Sequence, residues 1–171
     1  MASLTEELIN VLEKEHEAYD RLIPITERKT RVIISGDLDE LQKITDEEQS
    51  VVDQVSALEK KREEIIINMG TVLNRDPKTL KLKMMVKLLE KRPEEQKKLA
   101  NLHDLLSAQL KRVAAQNDKN KMLINQSLEM IQFELNLIQS SRMTPGTGNY
   151  TKGASTVDVP VAGTGMFDAK Q

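Results

Sequence analysis

The chain has 171 residues, 30% of them charged and 39% hydrophobic, with 2% aromatic residues, no tryptophan and no cysteine. A net charge of −2 lacks the basic excess of a nucleic-acid-binding domain, and zero cysteines exclude disulfides, thiolate nucleophiles and cysteine-based zinc sites. The balance suits long amphipathic helices in one domain rather than a globule with an aromatic core.

The opening Ser3-Leu4-Thr5-Glu6-Glu7 has no basic-then-apolar signal pattern. No run approaches the roughly 18 apolar residues of a membrane span. A cytoplasmic chain without stable membrane insertion is therefore expected. Ser3 followed by Glu6 has the spacing of a capping box and starts a first helix over about residues 3–34. Leu4, Leu8, Val11, Leu12, Tyr19, Leu22, Thr26 and Ile33 recur along it at helical spacing. Pro24 lies inside, where it removes a backbone donor and crowds the preceding turn, so a kink is expected between Asp20 and Ile25.

Ser35-Gly36-Asp37-Leu38 is the clearest break. Gly36 suits the left-handed position that ends a helix, and Asp37 with Glu40 repeats the capping-box spacing. A link this short makes an αα-hairpin. The second helix, about residues 37–73, carries Leu38, Leu41, Val51, Val55, Leu58, Arg62, Ile65, Ile66, Met69 and Leu73 on its inner side. Asp46, Glu47, Glu48, Glu59, Lys60, Lys61, Glu63 and Glu64 fill a face that reads as solvated.

Gly70 and Asn74 weaken the end of that helix, and Asp76-Pro77 reads as an N-cap followed by the first residue of a new element, a connector over about residues 77–90. Lys78, Lys81, Lys83, Lys87, Lys91 and Arg92 lie in or beside it. The preferred reading is a connector capping one end of a bundle; a basic amphipathic segment for an anionic membrane or a calmodulin-like groove stays open beside it.

Pro93-Glu94-Glu95 begins the last helix, about residues 93–141, with proline at the first position and carboxylates against the helix dipole. Leu99, Leu102, Leu106, Leu110, Val113, Ile124, Leu128 and Ile131 form its seam, with Asn117 and Asn120 as a polar layer that fixes register. At about 100° per residue, Ile124, Leu128, Ile131, Leu135 and Ile138 continue the seam toward a neighbouring helix. Met122, Met130, Phe133 and Leu137 form a second stripe with Leu123 at its edge. One stripe holds a helix in a bundle. A second one, rich in adaptable methionine, points to a surface kept for a partner.

After Arg142 the composition shifts: five of the seven glycines and two of the five prolines fall in the last 30 residues, and apolar periodicity stops. The expectation is a flexible tail over 142–171 with Tyr150, Val157, Val159, Val161, Met166 and Phe167 as anchors. The expected fold is all-α: an elongated antiparallel bundle or coiled coil of three long helices and a short connector, over residues 1–141, followed by that tail.

Chemistry-bearing patterns are absent. His16 and His103 stand beside carboxylates without a second histidine at metal-ligand spacing, no glycine-rich phosphate loop follows a strand, and no serine occupies a nucleophile elbow. The basic cluster around Lys81 has no interleaved aromatics for stacking on bases. The reading is a binding or scaffolding protein, not an enzyme, with no cofactor, no metal and no nucleic acid.

Three places carry a resemblance to a known family: the hairpin Ser35-Gly36-Asp37-Leu38-Asp39-Glu40-Leu41 before an acidic helix; Asn117-Asp118-Lys119-Asn120 leading to Ser127-Leu128-Glu129-Met130-Ile131; and the closing Gly165-Met166-Phe167-Asp168-Ala169-Lys170-Gln171. With these the chain resembles the FlgN family of flagellar type III export chaperones. The resemblance implies a cytoplasmic, ATP-independent chaperone that binds hook-associated (hook–filament junction) proteins, prevents their early assembly and delivers them to the export gate. It implies client binding through the C-terminal part, which by position means Met122, Leu123, Met130, Phe133 and Leu137, with Tyr150 and Phe167 in the tail. The competing expectation is a structural coiled coil in which the second stripe mediates self-association, as in a homodimer.

Overall fold

The structure, a computed structural model, describes residues 3–142, and every regular element among them is helical. Helix α1 spans Leu4–Ser35 and α2 spans Leu38–Leu73. A short 3-10 turn, Pro77–Thr79, precedes α3, Leu82–Leu88, and α4 runs Pro93–Arg142.

Local chemistry sets the ends. The Ser3 hydroxyl accepts from the Glu6 N–H at 3.2 Å while the Ser3 N–H donates to Glu6 Oε2 at 2.8 Å, completing the capping box of α1. Gly36 sits at φ +71°, and its N–H donates to the carbonyls of Val32 and Ile33. The second capping box is only half made. Asp37 Oδ1 accepts from the Glu40 N–H at 2.9 Å, but the Asp37 N–H donates to Ser35 Oγ and the Glu40 carboxylate turns to Lys43 at 3.7 Å. Helix α1 continues through Pro24, and two residues on, the Thr26 hydroxyl donates to the Ile23 carbonyl at 2.8 Å.

Polar pairs give the directions of the helices. Glu15 meets Arg62, Arg21 meets Gln54, and Lys29 meets Glu48, so numbers rise on α1 as they fall on α2. The two helices form an antiparallel hairpin. Helix α4 meets α1 in the same chain direction: Gln109 contacts His16 and Asp20, Arg112 contacts Glu27, and Asn120 contacts Thr26 and Thr30. The core between them contains Leu8, Leu12, Ile44 and Leu99, with Leu22, Val51, Val55, Leu102, Leu106 and Val113 around these.

Several inward assignments change. Leu38 is 77% exposed and Leu73 is also exposed, both in terminal turns of α2, whereas Ile44 takes a fully buried place. Leu110 is exposed and Gln109 is buried in its stead, because Leu102, Leu106, Gln109, Val113, Gln116 and Asn120 keep a strict alternation of four and three. Of the asparagine pair only Asn120 is buried; Asn117 is exposed.

The connector is not one helix. Asn74 ends α2 at φ +51°, Asp76 Oδ1 accepts from the Lys78 N–H at 2.9 Å, and Pro77 opens the 3-10 turn. Lys81 then takes an extended conformation, so the chain restarts as α3. Buried Leu80 and Met85 fix this stretch to the core. Gln96 Nε2 donates to the Val86 carbonyl at 2.9 Å, tying the first turn of α4 to α3.

The chain divides into two units after Gln132. The first holds α1, α2, α3 and α4 as far as Gln132. In the second, the described residues are the closing turns of α4 from Phe133 to Arg142.

Candidate client-binding surface

Helix α4 has 50 residues against 32 in α1 and 36 in α2. The α1–α4 contacts pair residues about ninety apart in number, such as Thr30 with Asn120. Carried to the end of α1 at Ser35, that offset reaches the neighbourhood of Ile124. The burial pattern changes there: Leu99, Leu102, Leu106, Gln109, Val113 and Asn120 are buried, Leu123 and Ile124 are half-buried, and each residue from Asn125 to Arg142 is exposed.

The last buried layer is polar. Asn120 Nδ2 donates to the Thr26 carbonyl at 3.0 Å, and the Thr30 hydroxyl lies 2.6 Å from Asn120 Oδ1. Gln116 Nε2 donates to the same Thr30 hydroxyl. Misaligning α4 by one residue would leave that buried amide unpaired, so the layer fixes register against α1. Beside it a groove of about 360 Å³ runs between Leu22, Lys29, Val52, Asn117 and Ile124.

Past this layer the residues of the expected seam are exposed. In the first unit, Leu128 and Ile131 are exposed at 59% and 52%; in the second, Leu135 and Ile138 are exposed as well. For Leu128 and Ile131 this corrects the expectation of a seam facing a neighbouring helix: they keep its periodicity, but in the first unit burial ends at Ile124. On the second stripe, Met122 and Met130 of the first unit are 55% and 65% exposed. Phe133 and Leu137 of the second unit are 65% and 59% exposed. Leu123 is partly covered. Tyr150 and Phe167 lie outside the described residues.

The hairpin holds a site that sequence reasoning missed. Glu15 is 1% exposed, with Oε2 3.1 Å from Arg62 Nη1 and Oε1 without a hydrogen-bond partner. Burial pushes its carboxyl above the usual 4.5, with Arg62 opposing and Glu59 adding to the rise. Burial also raises the Tyr19 phenol, helped by Glu59 and Glu15. The signal was there: Leu12, Glu15, Tyr19 and Leu22 keep seam spacing, as do Val55, Leu58, Arg62 and Met69. Opposite charges on two facing seams mark a cross-helix pair. Glu15 is buried within the hairpin while Arg62 reaches a groove it lines with Ile66, Leu80 and Leu110, and nothing in the pair forms a nucleophile–base arrangement.

His16 lies 3.5 Å from Asp20, and His103 lies 3.0 Å from Asp104. Among the described residues no group of three or more acidic or histidine side chains could hold a metal ion. No described helix is long and apolar enough to cross a membrane.

The sequence profile described as FlgN protein matches residues 1–158. The chain belongs to the FlgN family. This is a family of flagellar export chaperones. No curated protein and no solved structure matches the chain.

Proposed function

We propose that this FlgN-family protein is a cytoplasmic export chaperone that binds hook-associated proteins of the hook–filament junction, prevents their premature assembly and delivers them to the flagellar export gate. In this reading the long helices pack as a bundle, and the client meets the C-terminal part of α4. The supporting observation is the exposure of Met122, Met130, Phe133 and Leu137, all above half, on a chain with only 2% aromatic residues. Large apolar side chains left in water on one side of a helix act as anchors for an amphipathic partner helix. Methionine adapts to more than one such partner. A client whose terminal helices are unpaired as a monomer would bury its apolar face there, and the face that drives its assembly would be covered.

The test is Phe133→Asp combined with Leu137→Asp, assayed by co-purification with hook-associated proteins. Binding should be lost while helix content by circular dichroism stays unchanged. Retained binding would place the client surface elsewhere. The exposure of Leu128, Ile131, Leu135 and Ile138 also fits a second reading, a coiled-coil scaffold acting by self-association. Sedimentation separates them: a stable homodimer indifferent to hook-associated proteins would favour the scaffold.

A further inference from the structure

The basic connector has a surface that the chaperone reading leaves unused. Between Arg75 and Arg92 the chain carries seven basic residues against two acidic ones, a surplus of five in a protein whose total charge is −2. One of the two acids, Asp76, is occupied in capping the Lys78 N–H. Lys78, Lys81, Lys83, Lys87 and Lys91 are all exposed, and none forms an ion pair among the described residues.

Helix α3 is amphipathic in a specific sense. Met85 is buried, and half-buried Leu82, Val86 and Leu89 flank it on the side packed against the core. About a third of a turn away, Met84 and Leu88 are exposed at 40% and 41%. Lys83 and Lys87 stand beside them, also one turn apart. The outer face therefore presents two apolar side chains next to a row of ammonium groups, and buried Leu80 and Met85 hold it in place.

We propose that this outer face of α3, with the lysines that flank it, docks the protein on an anionic phospholipid bilayer. Charge complementarity carries the choice of occupant: unpaired lysines gain from the negative potential of an anionic leaflet, each by about a factor of five in binding. Met84 and Leu88 are long enough to enter the headgroup boundary but too few to insert the helix, the arrangement of a reversible peripheral contact. A partner helix would need a longer apolar row than two residues one turn apart. Lipid docking would concentrate the chain at a membrane surface without any spanning segment, and it does not rest on the client reading.

The experiment is co-sedimentation of the full chain with vesicles of one part phosphatidylglycerol to two parts phosphatidylcholine, at low and at 0.5 M salt. Binding is expected at low salt, with a steep loss at high salt and none on pure phosphatidylcholine. Lys83→Glu with Lys87→Glu should lower the partition at least about thirtyfold. Met84→Ser with Leu88→Ser should lower it severalfold at unchanged charge. Lys111→Glu with Lys119→Glu, exposed elsewhere on α4, makes the same change in net charge and should have little effect. Equal losses from both lysine pairs would reduce the effect to net charge and overturn the proposal, as would no binding to the anionic vesicles. An unchanged partition of the Met84→Ser, Leu88→Ser variant would mean that these side chains do not enter the headgroup boundary, and would overturn the proposal.

Discussion

Glu15 lies on the inner seam of α1 with Arg62 on one oxygen and no partner on the other. Its carboxyl is raised above 4.5 because burial outweighs the attraction of Arg62, so the folded protein holds that proton more tightly than the unfolded chain. The stabilisation it confers is then complete below about pH 4.5 and is lost as pH rises through the raised value. Glu15→Gln copies the protonated form at every pH. Urea unfolding should show wild type and Glu15→Gln closest in stability near pH 4.5, with wild type falling behind as pH rises toward 7.5. The opposite trend would mean that Arg62 dominates. Asn120 is the other residue whose removal should be felt. Asn120→Ala deletes the donor to the Thr26 carbonyl and the partner of Thr30 in a buried layer, a loss of about 1–3 kcal/mol by urea unfolding. Asn117→Ala, at an exposed position, should change stability by less than about 0.5 kcal/mol. The sequence showed an asparagine pair on the seam; the four-three count from Leu102 separates the two, since it lands on Asn120 and misses Asn117.

The elements were legible where local chemistry decides them. Ser3 with Glu6, Gly36 and Asp76-Pro77 mark ends that the structure puts within a residue or two of the expected ones. The connector was not, because propensity alone does not reveal that Leu80 and Met85 must both reach the core, which splits the segment into a turn and a short helix. Gly70 shows the same dependence on packing. A methyl group there would sit 2.8 Å from Pro77 Cγ and 3.0 Å from the Arg75 carbonyl oxygen, so the close approach of the 3-10 turn to α2 requires glycine. Gly70→Ala would gain about 1 kcal/mol in helix propensity, against an overpacking cost of about 1–3 kcal/mol. The backbone oxygen cannot swing aside as a flexible side chain would, so the cost should win, with a net destabilisation of about 1 kcal/mol by denaturant titration. A stabilised variant would show that the Pro77 turn yields freely.

At the scale of the molecule, periodicity misled for a definite reason. It records which side chains a helix could bury, not how long its partners are. Within the first unit the burial of α4 stops at Ile124, although Leu128 and Ile131 keep the seam spacing. Every described residue after Ile124 is exposed, so these residues contribute little burial to the folded state, although several are large and apolar. Ending the chain after Ile124 should therefore leave the urea midpoint nearly unchanged and shift Tm by no more than about 4 °C, equivalent to about 1 kcal/mol. The same truncation should abolish binding of hook-associated proteins, as a surface held for a partner requires. A loss of several kcal/mol would mean that Leu128, Ile131 and their neighbours are covered by their own molecule in solution. Stability and binding are thus expected to separate along one helix. Up to the Asn120 layer its side chains stabilise the chain that carries them; past Ile124 they are expected to stabilise only a complex.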